Sequence, residues 1–174
     1  MKNFLSERYF AGELYVPNLR TREDQGLGVG EMVQAVGESN FREYMLKYEH
    51  QYLLGLMGSD MLSEFYEKSE DDEAWERLRD EIFHYSGFDF VSPAANYVYF
   101  MSMRDMQTQT SPRGEVRGTQ DDAIVVSACG KLVRAWNEMV GMTENIRCFI
   151  RRNEETYGAI KEGKVWERIN RFGI

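Results

Sequence analysis

The sequence contains few of the residues that support metal sites, disulfides or membrane spans. Its 174 residues include two cysteines, two histidines and three prolines. Cys129 and Cys148 form no C-x-x-C motif, which argues against a zinc or redox framework and favours a reduced, intracellular protein. No apolar run approaches the roughly 18 residues of a transmembrane helix, and no apolar signal segment follows Lys2. We therefore expect neither a membrane span nor a signal peptide, and the scarcity of proline favours a helix-rich chain.

Basic residues are also fewer than acidic ones. The chain has 21 lysines and arginines against 29 aspartates and glutamates, so its formal net charge is −8. This balance argues against general binding to a phosphate backbone, which depends on lysine and arginine. Residues 131–174 carry 9 basic and 6 acidic side chains, a net of +3, which leaves a net of −11 on the first 130 residues. The basic segment is either a solvated helix end and tail or a surface that faces an acidic partner or another copy.

Motifs for catalysis or nucleotide binding are missing from the sequence. Residues 26–30, GLGVG, lack the G-x-G-x-x-G spacing, and no nucleophile motif or phosphate-binding G-x-x-x-x-G-K-[ST] is present. Glu81 and His84 form an E-x-x-H pair on a predicted helix, but a di-iron bundle needs two such pairs, and none accompanies His50. We predict a protein that is not an enzyme and holds no cofactor and no metal. The alternative is a metal-dependent enzyme that uses Glu81 and His84.

Hydrophobic periodicity predicts an all-α protein, a compact bundle of about five helices. The first helix is predicted to start after Ser39 and to end at Gly58, because glycine tolerates the left-handed conformation of a helix cap. A short helix follows from Ser59. The next helix begins with acidic residues, which suit the positive end of a helix. Its buried stripe is predicted to consist of Trp75, Leu78, Ile82 and Phe83.

The fourth helix is predicted to begin at Pro93, with Ser92 as its N-cap. It is apolar on several sides, so it is either the centre of the core or a helix that also meets a partner. Residues 107–119, QTQTSPRGEVRGT, follow it with alternating side chains around a turn, which predicts a β-hairpin or extended loop inserted there. A strongly amphipathic helix is then predicted from a cap at Thr119, with Gly141 as a candidate break.

The pattern divides the chain into three parts. Residues 1–38 form an N-terminal arm that is partly irregular and rich in glycine, residues 39–157 form the helical domain, and residues 158–174 form a C-terminal tail. The tail is too short to fold alone, but it is apolar enough to pack against something. The arm contains either a short helix or an extended piece near its start.

Residues 40–150 carry several motifs with a common family resemblance. These are Ser92-Pro93 with NYVY at 96–99, MRD at 103–105, VRAWNEMV at 133–140 and the earlier YLLGLMGSDMLSEFYE at 52–67. In this layout the chain resembles small tailed-phage and prophage proteins from Bacteroidetes, including those of crAss-like phages. These proteins are similar to the head–tail connectors, or head-completion adaptors, of long-tailed phages. The glycine-rich residues 20–38 depart from the family pattern.

The resemblance implies a non-catalytic structural virion protein, present in the host cytoplasm during assembly. Such adaptors form a homo-oligomeric ring, typically twelve-fold, under the portal protein, where they extend the DNA channel and dock a tail component. DNA only passes through the ring, without sequence-specific binding, and no membrane is involved. The candidate subunit or partner interface consists of Tyr99, Phe100, Gln107, Thr108, Gln109, Thr110, Arg113 and Arg117. The alternative function is a small helical prophage module that regulates or binds a protein without forming a ring.

Overall fold

The computed structural model of this chain describes residues 3–16, 31–107, 109–111, 114–116 and 129–170. The described residues form five α-helices, which are α1 (Glu31–Lys68), α2 (Glu73–Phe83), α3 (Pro93–Gln107), α4 (Cys129–Arg152) and α5 (Glu154–Tyr157). Short 3-10 turns lie at Glu7–Phe10, Gly12–Leu14 and Tyr85–Gly87. This mostly helical structure confirms the predicted all-α class.

α1 starts earlier than the sequence predicts, because its backbone is helical from Glu31 and not only after Ser39. Residues 31–36, EMVQAV, include several good helix formers, which extend the helix back toward the glycine-rich segment. Within α1, Gly58 has φ 77° and ψ 174°, a conformation that residues with a side chain rarely adopt. The predicted boundary at Gly58 is thus confirmed as a kink, after which the helix continues to Lys68.

α2 follows the pattern predicted from its acidic start. The Asp72 carboxylate accepts hydrogen bonds from the backbone N–H groups of Ala74 (2.9 Å) and Trp75 (3.3 Å). These bonds satisfy donors that the first turn of a helix leaves without helical partners. The predicted apolar stripe is buried, and it consists of Trp75, Leu78, Ile82 and Phe83.

α3 is the central helix of the core. The Ser92 hydroxyl caps it by accepting a hydrogen bond from the Ala94 backbone N–H at 3.1 Å, and Pro93 is its first residue, as predicted. All residues of 94–99 are buried, and the most extensive helix packing joins α3 to α1 and α4. The several apolar sides of α3 are therefore explained by packing within the chain.

α4 packs along α3 without a break. Gly141, the candidate break, lies inside the continuous helix. A glycine within a helix costs about 1 kcal/mol relative to alanine, which is less than the burial of the apolar face on both sides of it provides. The buried residues of that face are Leu132, Ala135, Met139, Val140, Ile146 and Ile150. The predicted cap at Thr119 lies outside the described residues.

Two three-residue strands lie beyond the end of α3. β1 (Gln109–Ser111) pairs with β2 (Gly114–Val116) in antiparallel register. The residues between and after the strands, 112–113 and 117–128, lie outside the described part of the chain. The inserted hairpin as a complete unit, proposed for 107–119, therefore stays a prediction.

Both described ends of the chain pack against the helices. In residues 3–16, the buried side chains are Leu5, Tyr9, Phe10 and Val16. In residues 158–170, Trp166 is buried and Ile160 is partly buried against the same core. The predicted packing of the apolar C-terminal tail is confirmed by these contacts.

Candidate interaction surfaces

The aromatic members of the predicted interface contribute to packing within the chain. The Tyr99 side chain is 2% exposed, and the Lys131 ammonium lies 5.1 Å from the centre of its ring. Phe100 is half-buried, with its ring centre 4.7 Å from that of Trp136. Of the two roles considered for these aromatic residues, the structure assigns Tyr99 to the core.

The polar members of the predicted interface lie at or beyond the end of α3. Gln107 is the last residue of α3, and Gln109 and Thr110 belong to β1. These three residues therefore follow one another where the chain leaves α3, beyond the buried residues 94–99. The remaining members, Thr108, Arg113 and Arg117, lie outside the described residues.

A hydrogen-bonded pair fastens this end of α3 to α1. The Tyr48 hydroxyl donates to the Asp105 carboxylate, and the Lys47 ammonium lies 3.3 Å from the same hydroxyl. Burial and the hydrogen bond to Asp105 raise the pKa of Tyr48, so the phenol remains protonated at neutral pH. The Tyr44 ring stacks on the Tyr48 ring at 5.9 Å. The last turns of α3 are thus held in place where the chain leaves toward β1.

The buried carboxylate of Glu49 binds the N-terminal segment. Glu49 is 2% exposed, and its oxygens accept hydrogen bonds from the backbone N–H groups of Phe4 (2.9 Å) and Leu5 (3.0 Å). The Tyr9 hydroxyl adds a second anchor by donating to the Phe83 carbonyl at 2.8 Å. These hydrogen bonds hold the N-terminal segment against the helices. They also give the buried carboxylate and hydroxyl the partners that buried polar groups need.

Burial changes the ionisation of Glu49. Loss of water raises the pKa of the carboxyl to about 7, although the two backbone N–H donors favour its charged form. Burial, with a contribution from Glu49, also raises the pKa of the nearby Tyr66 to about 12. A carboxyl that titrates near neutrality and holds a terminal segment makes the anchoring of residues 3–16 sensitive to pH.

At the other end of the chain, Trp166 occupies a pocket between α1, α3 and α4. Its side chain is 6% exposed and stacks on the Tyr52 ring, with centres 5.4 Å apart and planes at 12°. The Arg147 guanidinium lies 5.3 Å from the indole centre. Gly55 makes room for the indole, because a Cβ atom there would lie 2.6 Å from the ring. The pocket therefore accepts a flat aromatic side chain only while residue 55 is glycine.

The loop between α2 and α3 combines unusual backbone with exposed aromatic surface. Ser86 has φ 56° and Phe90 has φ 61°, values that residues other than glycine seldom adopt. Phe88 is 64% exposed, while Phe90 packs edge-on against Tyr9 at 5.5 Å. The contact with Tyr9 explains how the Phe90 conformation is held. The Phe88 ring, in contrast, is largely exposed to solvent.

The E-x-x-H pair of Glu81 and His84 lies at the end of α2. His84 lies beyond the last residue of α2, as its C-cap, and its Nδ1 atom is 3.6 Å from an Asp89 carboxylate oxygen. Across the described ranges, no group of three or more histidine, cysteine or acidic side chains is placed to hold a metal ion. In the same ranges, no helix has the length and apolarity needed to cross a membrane.

The sequence did not predict the roles of Glu49 and Gly55 in anchoring the two terminal segments. Of the two, only Glu49 stands out in the sequence pattern. Glu49 lies four residues from both Met45 and Leu53, so it interrupts the apolar face of α1 with a carboxylate. A charge on a buried stripe indicates a specific partner, although the pattern does not reveal which one. Gly55 left no comparable signal, because only the packed structure shows the indole against it.

Comparisons of this chain with protein-family models, with curated proteins and with solved structures gave no match in any of the three.

Proposed function

We propose that the chain is a structural virion protein, a head–tail connector that forms a ring under the portal, extends the DNA channel and docks the tail. The proposal rests on the family resemblance of residues 40–150. The observation that best supports it is the course of α3, which is the centre of the core and is separated from β1 by a single residue. A contact at the strands would therefore lie beside the helix that packs against both α1 and α4.

In this proposal the strands and the residues around them contact a neighbouring subunit or the portal. Gln107, Gln109 and Thr110 offer polar groups along this segment, and Arg113 and Arg117 supply positive charge for an acidic neighbour. The Tyr48–Asp105 bond supports such a contact, because it holds the last turns of α3 against α1. The ring contains no catalytic group and no cofactor in this proposal.

The acidic composition supports a role as a conduit. A net charge of −8 repels the phosphate groups of DNA, and a channel that releases its cargo benefits from such repulsion. The portal protein and a tail component are the proposed partners, and the proposed location is the virion, with the host cytoplasm during assembly.

The test is the absolute mass of the protein in solution across a concentration series, alone and with the portal protein encoded nearby. A closed ring, or a stoichiometric complex with the portal, supports the connector. The Arg117→Glu variant is expected to weaken the complex at least about tenfold, the effect of losing one well-placed contact. The matched control is Arg77→Glu on α2, which makes the same change of charge at an exposed position and should leave the complex intact.

A second function is favoured by the way both terminal segments are bound. Glu49 holds main-chain N–H groups of residues 4 and 5, so the helical body binds extended chain through backbone atoms. This property suits a small regulatory or protein-binding module that forms no ring. A chain that stays monomeric alone and also ignores the portal would overturn the connector and favour this module.

A further inference from the structure

The beginning of the described chain is held by a side chain of α1 and not by secondary structure. Residues 3–5 belong to no helix, turn or strand, and the first 3-10 turn starts at Glu7. The backbone N–H of Phe4 donates to one Glu49 carboxylate oxygen at 2.9 Å, and that of Leu5 donates to the other at 3.0 Å. We call residues 3–5 the latch, because these two bonds to one carboxylate fasten them to α1.

Apolar contacts complete the closed position of the latch. The Phe4 ring lies 5.0 Å from the Phe83 ring and 5.4 Å from the Phe65 ring, measured between centres. The Leu5 side chain is buried, while Phe4 is only half-buried and Asn3 is exposed. The latch is therefore held by two side chains and two hydrogen bonds, a small set of contacts that can break without unfolding of the helices.

The chain beyond the latch has anchors of its own. Ser6 is exposed, and its carbonyl accepts a hydrogen bond from the Tyr9 backbone N–H at 3.2 Å in the first turn. Tyr9 and Phe10 are buried, and the Tyr9 hydroxyl donates to the Phe83 carbonyl at 2.8 Å. Neither of these hydrogen bonds involves Glu49, so Ser6 marks the point about which the latch can turn.

A cavity beside the latch gives it room to move. The cavity has a volume of about 1090 Å³, and Asn3 and Leu5 of the latch line one part of it. Its other parts are lined by residues of α1 and of the loop before α3, among them Met45 and Phe90. Because this space borders the latch, residues 3–5 can leave Glu49 without displacing α1.

Among the described residues, no positive charge balances the Glu49 carboxylate. Its ionisation depends on burial and on the two backbone N–H donors, with no contribution from a lysine or an arginine. The phenols of Tyr9 and Tyr66 lie near it, and burial raises the pKa of each to about 12, so both are neutral at pH 7. The other titratable side chains around these two phenols are His50, Asp80 and Asp89. When the latch is closed, an ionised Glu49 is therefore stabilised only by the two backbone N–H groups.

We propose that residues 3–5 are a pH-sensitive latch that leaves α1 more often when Glu49 is ionised, while the helices stay packed. A buried carboxylate is poorly solvated, and its two hydrogen bonds offset only part of that loss. Opening brings the carboxylate into water, so ionisation favours the open position. Opening also uncovers the Phe65 and Phe83 rings that Phe4 contacts. The inference needs neither a portal nor a ring, so it is independent of the connector proposal.

The direction and size of the effect follow from the two positions of the latch. With the latch closed, the pKa of Glu49 is about 7, whereas a carboxyl in water has the ordinary pKa of 4.5. The closed position is therefore most favoured below pH 4.5 and loses stability as the pH rises through 7. The ratio of open to closed latch should rise about thirtyfold between pH 5.5 and pH 8 and change little at higher pH.

The experiment measures amide hydrogen exchange of the full-length protein by NMR between pH 5.5 and pH 8. Each measured rate is compared with the rate of an unprotected amide at the same pH, which removes the intrinsic pH dependence and gives a protection factor. The protection factors of the Phe4 and Leu5 amides should fall about thirtyfold across this range. The Met139 amide, in the buried core of α4, should remain far better protected than the Leu5 amide at every pH.

Two variants of α1 separate the role of Glu49 from a general effect of charge. Glu49→Gln keeps the size of the side chain but removes the titrating group, so the protection factor of the Leu5 amide should no longer change with pH. Glu43→Gln is the matched control, because it removes an exposed carboxylate from the same helix. This control should keep the roughly thirtyfold change of the wild type.

Two results would overturn the proposal. The first is a Leu5 protection factor that is as independent of pH in the wild type as in Glu49→Gln. The second is equal protection of Leu5 and Met139 at every pH, which would mean that the latch opens only when the whole protein unfolds. Portal binding enters neither result, so failure here is distinguishable from failure of the connector proposal.

Discussion

Glu49 lies in an unusual environment for a glutamate. Its carboxyl is buried among apolar and aromatic groups, and its hydrogen bonds go to the backbone of Phe4 and Leu5. A buried carboxylate without partners would cost several kcal/mol, and the two N–H donors offset part of that cost. The remaining imbalance appears as a pKa of about 7.

This pKa predicts how stability depends on pH. The native state binds the Glu49 proton more tightly than the unfolded chain, whose carboxyl has its ordinary pKa of 4.5. The stabilising contribution is therefore complete below pH 4.5 and is lost as the pH rises through 7. Its size is about 3 kcal/mol. The measurement is the free energy of unfolding in urea at several pH values, for the wild type and for Glu49→Gln.

The Glu49→Gln variant removes the titrating group and keeps nearly the same shape. We expect the stability of the wild type relative to this variant to fall by about 3 kcal/mol between pH 4.5 and pH 8. Other acidic residues titrate in both proteins alike, so they cancel in the difference. If the unfolding free energies of the two proteins changed in parallel across this pH range, the pKa of Glu49 would be ordinary.

Among the helices, α2 depends on a single exposed cap. Asp72 accepts hydrogen bonds from Ala74 and Trp75, and its charge also suits the positive end of the helix. Asp72→Ala should lower the free energy of unfolding by about 1 kcal/mol. Asp71→Ala is the matched control, since it removes the same charge from an exposed neighbour outside the cap. Equal losses in the two variants would assign the effect to charge and not to capping.

At the kink of α1, we expect Gly58→Ala to lower the free energy of unfolding more than Asp72→Ala does. Gly58→Ala forces a side chain into φ 77°, and the new Cβ would lie 3.3 Å from the Glu162 Cβ. We expect a loss of about 1–3 kcal/mol in thermal or urea unfolding. Gly141→Ala, within regular α4, should instead be neutral or stabilise by up to about 1 kcal/mol. If both variants behaved alike, the kink would carry no strain for alanine.

The elements that were predictable from sequence are those fixed by neighbouring residues. The start of α3 follows from Ser92 and Pro93, and the buried stripe of α2 follows from helical spacing. The start of α1 and the continuity of α4 were misjudged at glycine-containing segments, where propensity is weak and packing decides. A glycine such as Gly141 is tolerated because the flanking turns bury apolar side chains, which a local pattern does not weigh.

For the whole molecule, the sequence indicated which residues are apolar but not which chain segments they meet. Tyr99 was a candidate for both the core and an interface, and the packing of α3 between α1 and α4 places it in the core. The anchoring of residues 3–16 by Glu49 joins positions more than 40 residues apart. The Trp166 pocket joins positions that are farther apart still, so neither contact has a signature within a local window.

The charge of the whole molecule leads to a last prediction, which concerns DNA. With a net charge of −8, the wild type should bind a labelled duplex more weakly than about 10⁻⁴ M near physiological salt, with little dependence on salt concentration. Fluorescence anisotropy measures this directly. The matched variant replaces Glu67, Asp71 and Glu155, all exposed, by lysine, which moves the net charge from −8 to −2 and should strengthen binding at low salt. Tight, steeply salt-dependent binding by the wild type would contradict the proposed conduit, because a channel lined by such a protein would retain its DNA. That result would assign the basic residues 131–174 to contact with phosphate.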